Sequence, residues 1–309
     1  MHGRWQMRRW LMSCWALVAV GAAGGGKIPV AVVDDVGKEV ALNETPGRIV
    51  SLAPSTTELL FVLGVGNRVV GATQSCNYPP EALQIERVAS FKSMNLELIM
   101  ALQPDLAVAA RGNDMQAVEA LRSAGIPVFI LNIQTFPELY EGLRRLGRLT
   151  GTAARGEEVA TALQRREEHV AARLDSITRR PRVMWGYWGE IVYTAGKGSF
   201  IDRLIGRAGG VNVAGETDVT WPQVGLEVIL SWEPEVLLTT HLPAPATAET
   251  LAREIDRLQA TDGWRQLPAV RERRVYYVEP DWLMRPGPRL LDALEQTAEL
   301  LHPTAVGTQ

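Results

Sequence analysis

Cysteine is almost missing from this chain. Of 309 residues only Cys14 and Cys76 carry a thiol. Cys14 falls within an N-terminal stretch that looks removable, so the working protein is expected to lack an internal disulfide and to rely on its apolar core. Cys76 reads as a small, semi-buried side chain. Histidine is equally sparse beyond the N-terminus: His169, His241 and His302 are far apart, so no clustered metal site and no resident cofactor is expected. Neither a Gly-x-Ser-x-Gly elbow nor a His-Glu-x-x-His pair occurs, and no catalytic residue is nominated. Ala195-Gly-Lys-Gly-Ser199 lacks the glycine spacing and the Gly-Lys-Ser/Thr order of a phosphate loop, and reads as a tight turn with a helix cap. No apolar run approaches the roughly 20 residues of a membrane span. Positive charge is not in excess either. The formal charge is −3, and residues 1–23 hold three Arg and no acid, so losing them leaves 29 basic against 35 acidic residues. An acidic chain of that kind offers little to nucleic acid or anionic lipid.

What is present describes globular matter of about two domains: 46% hydrophobic and 22% charged residues exclude disorder, collagen-like repeats and a membrane bundle. Arg4, Arg8 and Arg9 precede an apolar run from Trp10 to Val20 and the small residues Gly21, Ala22 and Ala23, the layout of a cleaved export signal. Leu-Met-Ser-Cys14 faintly resembles a lipoprotein box, but most of the apolar run follows that cysteine, which favours cleavage over lipidation.

From Arg48 the chain alternates short β-rich runs with helical stretches, as α/β layers around parallel strands do. Strands are expected at Ile49 to Leu52, Arg68 to Ala72, Leu106 to Ala109 and Val128 to Leu131. Ser55-Thr-Thr-Glu58 reads as a capping box opening a helix that Gly64 stops, and a second helix spans Asp114 to Ala124. After Pro137, Leu139, Leu143, Leu146 and Leu149 fall in helical register. Beyond a break at Gly151, Thr152 to about Ile177 forms a helix of roughly 25 residues, long enough to cross between lobes. Strands at Arg182 to Tyr187, Val236 to Thr240 and Arg274 to Val278 alternate with helices at Ser199 to Ala208, Leu226 to Trp232, Ala248 to Leu258 and Pro288 to Leu301. The expected organisation is a signal over 1–23, an α/β lobe over 24–136, a helical connector over 137–180 and a second α/β lobe over 181–309.

An internal repeat carries the most information. Phe91-Lys-Ser-Met-Asn-Leu-Glu97, running on to Pro104 and Asp105, aligns without a gap on Trp221-Pro-Gln-Val-Gly-Leu-Glu227, running on to Pro234 and Glu235. Two copies of one design imply two lobes with a cleft between them, and in open α/β sheets ligands bind beyond the carboxyl ends of the strands. Phe91 and Trp221 are therefore candidate opposed walls. Trp185, Tyr187, Trp188 and Tyr193 cluster after the first strand of the second lobe, which favours a large, flat, partly apolar guest. Alternation assigns Trp185 to the core, and Tyr187 and Trp188 are assigned to the cleft. Glu97 and Glu227 each sit two positions past an N-cap residue, where the helix dipole favours an acid. The same pair also supplies two symmetric anionic knobs for the Arg residues of a two-fold partner. His241, at the +130 counterpart of Arg111, is a weak candidate to ligate a bound metal and is more simply read as polar loop surface.

Arg48-Ile-Val-Ser-Leu-Ala-Pro-Ser-Thr-Thr-Glu58, Tyr78-Pro-Pro, Met94-Asn-Leu-Glu97, Gln103-Pro-Asp105, Arg111-Gly112, Trp221-Pro-Gln-Val and Asp281-Trp282 resemble the periplasmic cobalamin-binding proteins of ABC importers. They belong to the cobalamin, siderophore and haem branch of solute-binding proteins, and the likeness runs from Arg48 to the last helix. The resemblance implies two similar α/β lobes joined by one long helix, with a corrinoid as transported ligand between them. It places Phe91, Tyr187, Trp221, Asp281, Trp282 and Arg285 at or beside that ligand, with Trp188 and Tyr193 from the aromatic cluster. It makes Glu97 and Glu227 the residues that dock on an ABC permease dimer. Ser75 and Ala110 stand where an aromatic is expected and Phe91 replaces a Trp, which leaves room for another corrinoid, a siderophore or haem. A monomeric extracytoplasmic carrier without chemistry of its own is the expected function. The rival is an exported enzyme or metallochaperone using Asp281 or His241 in the same cleft.

Overall fold

The computed structural model describes residues 29–90, 93–189 and 191–303. The export-signal reading, Cys14 and Phe91 lie outside the described residues. An antiparallel hairpin, β1 (Val30–Val33) and β2 (Glu39–Leu42), precedes the first lobe. Its turn is held by Asp34, whose carboxylate accepts the N–H groups of Val36 and Lys38 and pairs with Arg122 at 2.6 Å. Neither strand is among those expected from the sequence.

The first lobe is a five-stranded, wholly parallel sheet. Its strands are β3 (Ile49–Ser51), β4 (Val69–Thr73), β5 (Arg87–Ala89), β6 (Leu106–Ala110) and β7 (Val128–Leu131), in spatial order β5-β4-β3-β6-β7. Helices α1 (Pro54–Val62), α2 (Leu96–Ala101) and α3 (Met115–Ser123) make the crossovers. The central strands are buried on both faces, as parallel strands covered by helices must be. Helix α1 begins two residues earlier than a Ser55 box requires. Its N-cap is Ala53, whose N–H donates to Thr56 Oγ1 at 3.2 Å, while Glu58 leaves the helix end altogether. Asp114 caps α3 through the N–H groups of Gln116 and Ala117. Cys76 is buried, with Sγ 3.0 Å from Thr57 Oγ1 and 3.1 Å from Thr73 Oγ1.

Helices α4 (Phe136–Leu149) and α5 (Ala153–Leu174) form an antiparallel pair that meets through Gly147 and Gly156. The leucines of α4 that fall in register are all buried. Helix α5 has 22 residues, about 33 Å, shorter than expected because it stops at Leu174. Along its length Arg155 donates to the carbonyl of Val62, and Arg166 pairs with Asp292 and Glu295, both at 2.6 Å. It thus touches both halves of the molecule.

The second lobe has strands β8 (Arg182–Tyr187), β9 (Val192–Thr194), β10 (Val211–Asn212), β11 (Gln223–Val224), β12 (Val236–Thr239) and β13 (Val275–Tyr277). Between them lie α6 (Phe200–Arg207), α7 (Leu226–Trp232), α8 (Ala248–Ala260) and the short α9 (Pro268–Arg271). After β13 come α10 (Pro280–Leu283) and α11 (Leu290–Leu301). Strands β8, β12 and β13 are parallel. One edge of β8 is shared, its first half by parallel β10 and its end by antiparallel β9, which in turn carries β11. One continuous apolar core runs from Ile49 and Leu106 through Leu143 and Leu163 to Trp185, Leu204 and Leu291, with a separate cluster on the outer face of each sheet.

The repeat is visible in backbone detail. Gln103 and Glu233 take the left-handed conformation with φ of 46° and 43°. Arg48 and Arg182, each heading its lobe's first strand, donate to the carbonyls of Leu102 and Trp232 that end α2 and α7. Asp105 and Glu235 then accept the backbone N–H of those same arginines, at 2.9 Å in both lobes. The recurring Pro and acid are thus parts of one helix-to-strand clasp used twice.

Candidate functional site between the lobes

The carboxyl ends of the two sheets face each other, and a cavity of about 440 Å³ opens there. Lobe one supplies Ala53, Ser75, Ala110 and Arg111 from the ends of β3, β4 and β6; lobe two supplies Asp281 and Arg285. Ser75 and Ala110, the two positions where an aromatic is expected, do lie on its wall, where each presents only a short side chain.

Asp281 and Arg285 are positioned by α10, whose start at Pro280 turns the chain back over lobe one. Arg285 Nη2 lies 2.6 Å from Asp281 Oδ1, and its Nη1 donates to Asn77 Oδ1 at 2.5 Å. Asn77 Nδ2 donates in turn to Asp281 Oδ2 at 3.1 Å, closing a polar ring across the lobe boundary. Beside it Arg289 grips Glu58 at 2.6 and 3.0 Å and stacks on the Tyr78 ring, 4.0 Å from its centroid. Glu58 is 2% exposed, and burial raises its carboxyl above the ordinary range while the bond and charge of Arg289 pull it back. Tyr78, Glu58 and Arg289 are absent from the sequence-derived site. A separation of 231 residues leaves no local signal for the pair. Trp282 is half-buried against the main core.

The aromatic residues of lobe two divide between the faces of its sheet. Trp185 is 1% exposed and stands edge-on to Tyr187, with centroids 5.0 Å apart, and to Trp221 at 6.1 Å. Tyr193 pairs directly across from Tyr187, so their side chains share a face. Trp221 is 45% exposed, with its other edge on Phe200 at 5.8 Å. Trp188 takes the opposite face: its Nε1 donates to Glu254 at 2.7 Å and its ring packs on Trp264 in the outer cluster. Its assignment to the cleft beside Tyr187 is therefore corrected, for the reason that neighbouring residues at a strand end project to opposite sides. Tyr187, Tyr193 and Trp221 lie at the carboxyl end of the lobe-two sheet but do not line the 440 Å³ cavity. His241, exposed at the end of β12, meets the Tyr187 ring at 5.8 Å, and the Tyr187 hydroxyl bonds Thr240 Oγ1 at 3.0 Å. His169 is exposed, and His302 is buried against the carbonyl of Gly209. Among the described residues no group of three or more His, Cys, Asp and Glu is placed to hold a metal ion.

Glu97 and Glu227 occupy the same place in the first turns of α2 and α7, and both are exposed. Asn95 caps α2 by accepting the N–H of Leu98 at 3.0 Å; Gly225 at the equivalent place has no side chain to offer. Each helix runs back before its following strand, so both carboxylates stand at the end of the molecule where the strand carboxyl termini emerge.

Two repeated α/β lobes, a linking helix and a cavity between opposed strand ends define a two-lobed ligand-binding protein. Residues 49–282 match the model of the periplasmic binding protein family, and the chain belongs to that family. It is 29% identical over 284 residues to an uncharacterized ABC transporter substrate-binding lipoprotein of Bacillus subtilis, covering 89% of this chain and 86% of the relative. It is 30% identical over 257 residues to a vitamin B12-binding protein of Vibrio cholerae, covering 82% and 88%. The crystal structure of the periplasmic vitamin B12-binding protein BtuF of Vibrio cholerae superposes with a TM-score of 0.73 at 29% identity, covering 86% of this chain and 99% of that one. The family is one of solute-binding proteins. Among the described residues no helix is long and apolar enough to cross a membrane.

Proposed function

We propose that this protein captures cobalamin or a related corrinoid outside the cytoplasm and delivers it, unchanged, to the permease dimer of an ABC importer. The observation that carries the reading is Trp221. A 45% exposed indole is propped by two further rings at the carboxyl end of a sheet, and so offers a fixed stacking surface to a broad, flat guest. Tyr187 and Tyr193 widen that surface, and Asp281 and Arg285 add polar contacts within the cavity between the lobes. Phe91 is proposed as the opposing wall on lobe one. The vitamin B12-binding relatives support a corrinoid as cargo, and the N-terminal signal pattern supports export with cleavage.

Cyanocobalamin is expected to quench tryptophan fluorescence with a dissociation constant of about 1 μM or tighter and to be recovered intact. Trp221→Ala should weaken that binding by about 1 to 3 kcal/mol. An unchanged titration removes Trp221 from the site, and binding of haemin or a ferric siderophore in place of cyanocobalamin reassigns the cargo.

Glu97 and Glu227 are proposed as the docking pair for a monomeric carrier on a two-fold permease. Reversing both charges with Glu97→Arg and Glu227→Arg should abolish uptake through the cognate importer while cyanocobalamin affinity stays unchanged. A fall in affinity would instead place the two carboxylates at the ligand.

A further inference from the structure

Arg111 and Arg285 line the interlobe cavity, Arg87 and Arg289 bond to residues beside its wall, and all of these but Arg111 are fully engaged. Arg87 donates to the carbonyls of Thr73, Cys76 and Ala82. Arg285 is held by Asp281 and Asn77, and Arg289 by Glu58. Arg111 differs from these. It lines the cavity just past the carboxyl end of β6, it is exposed, and its guanidinium has no hydrogen bond or ion pair among the described residues. The nearest acid in sequence, Asp114, spends its carboxylate on the N–H groups of Gln116 and Ala117. Within the cavity Asp281 is committed to Arg285, at 2.6 Å. The rest of the lobe-one wall carries no charge: Ala53, Ser55, Ser75, Ala110 and Gly112 are short, and the segment after β7 adds Leu131, Asn132, Ile133 and Gln134.

A guest that fills this cavity strips water from Arg111. Among the described residues no acid is left to offset that loss, so a neutral guest is opposed by the uncompensated charge, whereas a guest bringing its own oxyanion is favoured. The planar guanidinium fork matches two oxygens of a phosphate or carboxylate. We infer that Arg111 is a specificity-determining residue that receives an oxyanion on the edge of the cargo. This rests on the reading of the interlobe cavity as the capture site. It narrows the cargo from flat chelates in general to those bearing a phosphodiester or a carboxylate.

The test compares the full chain with Arg111→Gln by fluorescence titration against four probes. These are cyanocobalamin, which carries a phosphodiester; dicyanocobinamide, a corrinoid without phosphate or nucleotide; haemin, with two carboxylates; and its dimethyl ester. The variant should lose about tenfold in affinity for cyanocobalamin and bind dicyanocobinamide at least as tightly as the natural chain does, which also serves as the control for folding. An equal loss for both corrinoids, or no loss for either, overturns the role of Arg111 and leaves the corrinoid reading standing. If the natural chain binds haemin and neither corrinoid, the corrinoid reading falls. The inference then holds if Arg111→Gln weakens haemin about tenfold but not the ester, and fails if it treats the two alike. Binding of none of the four by the natural chain overturns both.

Discussion

Glu58 has two claims on it. In the sequence it is the acid of a Ser55-Thr-Thr-Glu58 capping box, yet the helix starts at Pro54 and the fold sends the Glu58 carboxylate across the lobe boundary to Arg289. The pair is buried, 2% and 12% exposed at the side chains, so its removal by halves is costly. Burial raises the Glu58 carboxyl, which means the folded state holds this proton more readily than the unfolded chain. Stability from that titration is fully present at low pH and is lost as pH rises through the raised value. Arg289→Ala removes the main influence restraining that rise. The variant should be destabilised by about 3 kcal/mol at pH 8, and by visibly less at pH 5, where Glu58 can take a proton. Urea unfolding at the two pH values reads this directly, and an equal loss at both would mean the carboxylate has other cover. At this scale sequence reading did best with side chains whose surroundings are local. Asp114 caps the helix expected of it and Trp185 is buried as its strand alternation requires, whereas Trp188 and Glu58 were misjudged because distant partners, Glu254 and Arg289, decide where they point.

Elements were more legible than residues. Helix α7 and strand β8 have the bounds their patterns imply, and most others shift by one or two positions, because apolar periodicity and caps are written in contiguous sequence. The hairpin β1–β2 and the short strands β5, β9, β10 and β11 were not visible in the sequence pattern. The α4–α5 pair shows what decides an element's seat once it exists. A methyl group at Gly156 would come within 2.9 Å of the Leu143 carbonyl oxygen and 3.3 Å of Gly147 Cα, and neither backbone atom can withdraw alone. Gly156→Ala should therefore cost about 1 to 3 kcal/mol in urea unfolding despite its better helix propensity. Gly206→Ala, on α6 with nothing within 4 Å, should be neutral or stabilising by up to about 1 kcal/mol. Equal behaviour of the two variants would show that the helices separate easily.

At the scale of the whole molecule, the core decides how the two lobes behave together. Apolar contact is continuous from the first sheet through α4 and α5 to the second, and ion pairs from Arg166 and Arg289 fasten the same join. The lobes should therefore unfold together. Calorimetry is expected to record one transition whose calorimetric and van't Hoff enthalpies agree, and two resolved transitions would refute a shared core. The same continuity favours a small rocking motion over a wide hinge when a guest is taken up.

By itself the sequence determined the order of strands and helices, the twofold repeat and the need for a cleft. Turn chemistry, capping and periodicity act between near neighbours, and a copied segment carries its clasp with it. Only the tertiary structure decided which rings share a face with Trp221, which arginines are tied down and which one is left facing the cavity. Those outcomes depend on groups up to 231 residues apart meeting in a desolvated space, where a partner's presence or absence sets the energy of a charge.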